Sequence, residues 1–262
     1  MQKIKLIIKK ILLFILAPLI EKLGYVKFNY NYADIDRSHI PQKDDLIDHL
    51  CEVLRKYEFY PDLIIDVGAN HGTWSRKWKS AFPKSAFILI EPQSWLQNSF
   101  YDMLDDKTIY YPVGAGSANG TFTFTINSDR DDSSSFFYKG EDAQVLGYKQ
   151  IEIPVRTLND IISDYGKIPD MIKIDAEGLD LEVLEGSSSV FGKTEIFFIE
   201  ADINARIFDN NIVAVINYMN SKGYRLFEIT DLNRPFSSGV LWLMELVFIK
   251  KGGFLDSKSY TA

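Results

Sequence analysis

From Pro61 onward the chain alternates short apolar runs with stretches of helical periodicity. Asp62–Val67, Ala86–Ile90 and Thr108–Val113 read as strands, and helices are predicted between them over Thr73–Ser80 and Ser94–Leu104. The same rhythm continues with helix Leu158–Asp164, strand Met171–Ile174, helix Leu179–Leu184 and strand Glu195–Ile199. A helix over Ile212–Ser221, a strand over Tyr224–Ile229 and a last apolar run, Leu241–Ile249, follow. The middle departs from this pattern. Gly120–Ile126 alternates Thr and Phe, Gln150–Val155 alternates Ile151, Ile153 and Val155, and both therefore read as strands. The polar stretch between them, with Ser133, Ser134 and Ser135, has the length of a lid or of a plain mobile loop. Strands that alternate with helices imply an α/β fold, a mostly parallel sheet with helices on both faces. The last two strands are joined only by Thr230–Gly239, too short for a crossover helix, so they are expected to pair as an antiparallel hairpin.

Upstream of this body the pattern changes. On a helical wheel Ile4, Ile7, Ile8, Ile11, Phe14 and Ile15 fall on one side, and Lys3, Lys5, Lys9 and Lys10 on the other. This is a basic amphipathic helix, expected within residues 1–24. Its uninterrupted apolar run, Ile11–Ile20, is about half of what a spanning helix needs, and no small-residue cleavage pattern precedes Glu21. Residues 3–20 suit the interface of an anionic membrane, or packing against the body or a second copy of the chain as a homo-oligomer. The chain is expected in the cytoplasm, free or attached to the inner face of the membrane. Residues 25–58 read as a connecting segment with a helix over Asp44–Tyr57, and residues 59–262 as the main α/β domain.

Charge narrows the choice of partners. Residues 1–27 carry six lysines against Glu21, a net of +5, which leaves 23 basic and 35 acidic groups, a net of −12, in the rest. An acidic body does not suit a nucleic-acid backbone, which needs a basic surface to displace its counterions. The single cysteine, Cys51, rules out an intramolecular disulfide and a Cys-based zinc cluster.

Three segments could carry chemistry, and all end predicted strands. The first is Asp66-Val67-Gly68-Ala69-Asn70-His71-Gly72, in which a strand reaches an acid and then a turn with two glycines. Glycines there let backbone approach a ligand, and in an open α/β sheet such a turn lies at the carboxyl edge. The third glycine of the dinucleotide fingerprint is absent, which weighs against a nicotinamide oxidoreductase. A tight turn without a ligand is the plain alternative. The second is Glu91-Pro92, 25 residues after Asp66, where an acid can accept both ribose hydroxyls. Together these two argue for an adenosine-type cofactor. The third is Lys173-Ile174-Asp175-Ala176-Glu177-Gly178, three ionisable groups around the end of an apolar strand. Burying unpaired charge costs several kcal/mol, so this is a site or a structural Lys173–Asp175 ion pair. Asp175, Glu177, Glu200 and Asp202 end neighbouring strands as oxygen donors, but no dense metal-ligand spacing is present and no metal is expected. His71 is a competing base; Trp74, Trp78 and Trp95 are expected in the core.

In this order, Asp-Val-Gly-Ala-Asn-x-Gly, Glu91-Pro92, Thr157-Leu158-Asn159-Asp160, Lys-Ile-Asp-x-Glu-Gly and Val183-Leu184-Glu185-Gly186 resemble the FkbM family of S-adenosylmethionine-dependent methyltransferases, over roughly residues 60–202. One departure is Asn159, where that family usually has Asp. The resemblance implies a class I methyltransferase fold, with its antiparallel terminal hairpin, and transfer of a methyl group to a hydroxyl, often on a sugar, glycan or glycosylated natural product. By position, Asp66, Gly68 and Asn70 are expected to hold the methionine part of the cofactor and Glu91 the ribose, with Gly72 and Pro92 as further cofactor-binding residues. Asp175 or Glu177 would then be the base, and Lys173 would orient that carboxylate or hold the acceptor. A membrane-attached, non-catalytic nucleoside-binding module is the remaining alternative.

Overall fold

The computed structural model describes residues 46–126, 134, 136, 143, 148–204 and 210–259. The expected amphipathic helix within 1–24 and most of the serine loop lie outside these. Helix α1 (Leu46–Lys56) is followed by strand β1 (Leu63–Val67), helix α2 (Thr73–Ala81), β2 (Ala86–Ile90) and β3 (Thr108–Tyr111). Then come β4 (Gly114–Ala115), β5 (Gly120–Ile126), β6 (Lys149–Arg156), α3 (Leu158–Tyr165), β7 (Met171–Ile174), α4 (Asp180–Glu185) and β8 (Ile196–Asp202). Helix α5 (Ile212–Ser221), β9 (Tyr224–Asn233), β10 (Leu243–Lys250) and α6 (Phe254–Ser259) complete the described chain.

Seven strands form the main sheet in the order β3-β2-β1-β7-β8-β10-β9. The first five are parallel, while β10 runs antiparallel to both β8 and β9. This is the class I methyltransferase arrangement expected from the sequence. The order of the strands reverses at β1, so the loops leaving β1, β2 and β7 share one edge, where ligands of open α/β sheets bind. The two alternating segments do pair, β5 antiparallel to β6, but in a separate three-stranded sheet with β4.

The strands are apolar because both faces are covered. Leu63, Ile65 and Val67 face a cluster built with Leu158, Ile161 and Ile162 of α3, Val183 and Leu184 of α4, and Val215 and Met219 of α5. Ile64 faces the opposite cluster, with Leu50, Cys51 and Leu54 of α1, Trp78 of α2, and Leu255 of α6. Each such aliphatic side chain contributes about 1.5–3 kcal/mol by leaving water, so α1 belongs to the packed body. On α3, the Thr157 side chain accepts from Asp160 N–H and Gly166 in the left-handed region ends the helix, which accounts for both boundaries read from the sequence.

Two expectations need correction. Ser94–Met103 is a 3₁₀ segment interrupted at Phe100 (φ −121°), because Phe100 and Met103 must both turn into the core. Trp95 is exposed on that segment, whereas Trp78 is fully buried and Trp74 partly so.

Candidate active site

The cleft at the carboxyl edge encloses about 640 Å3, part of it open to solvent, and its wall includes Gly68 and Asn70 after β1, Glu91, Pro92 and Gln93 after β2, Gly114 and Ala115 of β4, and Asp175 and Glu177 after β7. The small sheet completes it through Phe124, with Ser134 and Phe136 beside it. Asp66, Gly72 and Lys173, also expected at the site, are not in this wall, and all three are buried.

Gly68 is forced by the fold. Its φ is +73°, and a Cβ there would sit 1.9 Å from the Asp175 carbonyl oxygen, so the two loops touch backbone to backbone. Gly68 and Ala69 N–H groups both donate to the Ile90 carbonyl, at 2.9 and 3.1 Å, tying the glycine turn to β2. Asn70 follows with φ 45°, and its N–H donates to Glu91 Oε2 at 2.7 Å, while Gln93 N–H donates to Oε1 at 2.8 Å. Burial pushes the Glu91 carboxyl up, and these amide bonds pull against that. The Gln93 side chain also donates to this carboxylate, which lines the cleft beside Pro92. Gly72 (φ +74°) starts α2 and is packed against Phe100.

Below the cleft, Asp66 is fully buried. Ser75 Oγ donates to its Oδ2 at 2.6 Å, and Lys173 Nζ lies 3.5 Å from Oδ1. Lys173 also donates to Asp175 Oδ2 at 2.9 Å, with the Trp74 ring 5.9 Å from its Nζ. Burial alone would lower the Lys173 ammonium, but the charges of Asp175, Asp66 and Glu245 more than reverse this and hold it charged. The lysine thus links a wholly internal carboxylate to one at the cleft.

Three further acids belong to this region: Glu200, which the sequence already puts at a neighbouring strand end, and Asp180 and Glu245, which the motif reading missed. Asp180, in the first turn of α4, accepts from Ala176 N–H at 3.0 Å and from Asn210 Nδ2 at 2.7 Å, which pins the loop carrying Asp175 and Glu177. Burial and then the charge of Asp175 push its carboxyl up to about 7. Glu200 on β8 pairs in register with Glu245 on β10, and Glu245 Oε1 accepts from Thr230 Oγ1 at 2.5 Å. Burial pushes Glu245 up to about 7, against the opposing pull of Lys173. The signal was legible: both glutamates interrupt otherwise apolar strands, in Ile196–Asp202 and Leu243–Lys250. Among the described residues no group of three or more His, Cys, Asp or Glu is arranged to hold a metal ion.

Asn159 lies away from this chemistry. Its Oδ1 accepts from Ser189 N–H at 2.8 Å and its Nδ2 donates to Ser188 Oγ at 3.0 Å, fastening α3 to the turn after α4. Gly186 of the same motif is needed for close approach, since a Cβ there would meet the Gly116 carbonyl oxygen at 2.1 Å.

No curated protein matches the chain. Among solved structures it is similar to a precorrin-6y C5,15-methyltransferase from Geobacter metallireducens (13% identity, 85% of this chain and 100% of the other, TM-score 0.42). It is also similar to a 1,6-didemethyltoxoflavin-N1-methyltransferase from Burkholderia thailandensis, solved with S-adenosylhomocysteine (10%, 86% and 92%, TM-score 0.42). A third is a putative tRNA (m1A22) methyltransferase from Streptococcus pneumoniae, solved with S-adenosyl-L-methionine (12%, 77% and 72%, TM-score 0.41). The model of the methyltransferase FkbM domain matches residues 66–226, which contain the glycine turn, Glu91 and the Lys173–Glu177 segment. The chain therefore belongs to the FkbM methyltransferase family, and its cofactor is S-adenosylmethionine.

Proposed function

We propose that this methyltransferase methylates a hydroxyl of a sugar, glycan or glycosylated natural product. The observation that carries the reading is the meeting of Gly68, Glu91, Asp175 and Glu177 in one cleft. When bound, S-adenosylmethionine supplies a methyl group on a positively charged sulfur. Gly68 and Asn70 bear on its methionine part, Glu91 and Pro92 on the ribose, and Asp66 stiffens the turn from below through Ser75. Asp175 and Glu177 present acceptor-only oxygens to the other substrate, and the Lys173 contact fixes the direction of Asp175. Holding the two substrates in line supplies much of the acceleration in such displacements.

Acceptor oxygens from two neighbouring carboxylates, Asp175 and Glu177, suit a donor-rich, uncharged acceptor such as a polyol. The β9–β10 hairpin adds to this. Because β10 starts opposite Asp202, the loop between these strands lies at the same edge, and it carries Phe236, half exposed and packed edge-on to Trp242 at 4.9 Å. Aromatic rings of this kind cover the apolar face of a sugar. Residues 3–20, read as a basic amphipathic helix, would bring the cytoplasmic enzyme to a membrane-linked glycan. Mass spectrometry of surface glycans from cells with and without the protein tests the reading. One O-methyl group lost per acceptor on deletion is the expected result; unchanged glycans together with a lost N- or C-methyl group elsewhere would overturn it.

A further inference from the structure

Resting on that reading, we infer that Glu200 is the catalytic residue that takes the acceptor's proton, with Asp175 and Glu177 binding the acceptor beside it. A hydroxyl has to lose its proton as the new bond forms. The acceptor O–H proton passes to the Glu200 carboxylate, an oxygen lone pair forms the O–CH3 bond, and the C–S pair stays on sulfur as a neutral thioether.

Glu200 fits this role by placement. Strands β7 and β8 are parallel with Ile174 opposite Ile199, so the next step sets Glu200 beside Asp175, which lines the cleft. Both side chains alternate onto the face that carries Lys173 and Phe198. The state of each carboxylate then separates them. Asp175 is engaged by Lys173 at 2.9 Å. Among the described residues Glu200 receives no hydrogen bond and no ion pair, and it is half-buried. A carboxylate already held by an ammonium is a poor proton acceptor; an unengaged one surrounded by like charge is a good one.

The groups around Glu200 reinforce this. Asp175 and Lys173 face it from β7, Glu177 and Asp180 from the segment that follows, and Glu245 from its register position on β10. Burial first, then the charges of Asp175, Glu177 and Asp180, raise Glu200 well above the usual carboxylate range, with Lys173 opposing. Such a group takes up a proton more readily than an ordinary carboxylate, as a general base must.

The test uses binding, so it needs no acceptor. Sinefungin carries an amine where S-adenosylmethionine carries the transferable methyl, and a carboxylate facing the methyl would pair with that ammonium. Calorimetry on the full chain would compare sinefungin with S-adenosylhomocysteine. The expected result is a preference for sinefungin that grows as pH rises and Glu200 ionises. Glu200→Gln should lose that preference by about 10-fold, equivalent to roughly 1.4 kcal/mol, and lose its pH dependence, with S-adenosylhomocysteine affinity retained as the check on folding. Glu182→Gln, on the exposed side of α4, should change nothing. An unaltered preference in Glu200→Gln, or a loss confined to Asp175→Asn or Glu177→Gln, would overturn the assignment. A methylated nitrogen or carbon in the glycan experiment would instead defeat the hydroxyl reading, leaving the position of Glu200 to the sinefungin comparison.

Discussion

The two halves of the carboxyl edge are built on different principles. The half formed by β1 and β2 is made of backbone: Gly68 against the Asp175 carbonyl, amide bonds to the Ile90 carbonyl, and Glu91 with an amide on each oxygen. These backbone groups are paired before any ligand arrives. The half formed by β7, β8 and β10 is made of side chains, and among the described residues its carboxylates Asp175, Glu200 and Glu245, with Asp66 of β1 beneath, share one ammonium, that of Lys173. A rigid, satisfied surface suits a constant ligand, whereas under-compensated charge costs stability and is retained where chemistry needs it.

That contrast can be broken from either side. The largest effect is expected at Gly68→Ala, which drives a Cβ into the Asp175 carbonyl. Calorimetry should show S-adenosylhomocysteine binding abolished, and chemical denaturation a loss of about 3 kcal/mol or more; retained binding would mean the two loops are freely separable. Lys173→Met comes next on the other half. It leaves the buried Asp66 without its cation, and breaking a buried pair in this way costs about 3 kcal/mol, readable as a lowered denaturation midpoint.

A smaller effect concerns pH. Glu245 is raised from 4.5 to about 7 in the folded chain, so the folded state holds a proton that the unfolded state has released. Its contribution is full below pH 4.5 and is lost as pH rises through about 7. The melting temperature should therefore rise when pH is lowered from about 8 to about 6, and Glu245→Gln should flatten part of that slope. A slope identical in the variant would exclude Glu245 as its source. The smallest effect sharpens the comparison. Glu177 holds φ 50°, a left-handed conformation that costs a non-glycine residue about 1 kcal/mol. Glu177→Gly should gain about 0.5 kcal/mol in denaturant after the added chain entropy is counted, while methyl transfer falls.

The glycine half was legible in the sequence because its signals are local. A positive φ, a close backbone approach and an acid one strand later all leave residue-type marks within the Asp66–Gly72 and Glu91-Pro92 segments. The side-chain half was legible only in part. Lys173, Asp175 and Glu177 are neighbours in sequence and stood out together, but Glu245 and Thr230 reach the same cluster only because β10 inserts between β8 and β9. The helix predicted over Ser94–Leu104 turned out otherwise for a similar reason: the core beneath Phe100 and Met103 outweighed local periodicity.

By itself, the order of apolar runs and turns determined an α/β sheet with a terminal hairpin, and the motifs determined the family, because hydrophobic period and backbone conformation are encoded residue by residue. Only the tertiary structure decided which carboxylates share Lys173, which one has no hydrogen bond or ion pair among the described residues, and how close Gly68 comes to Asp175. Those are consequences of strand order and register, which bring together residues far apart in the chain and which no local pattern specifies.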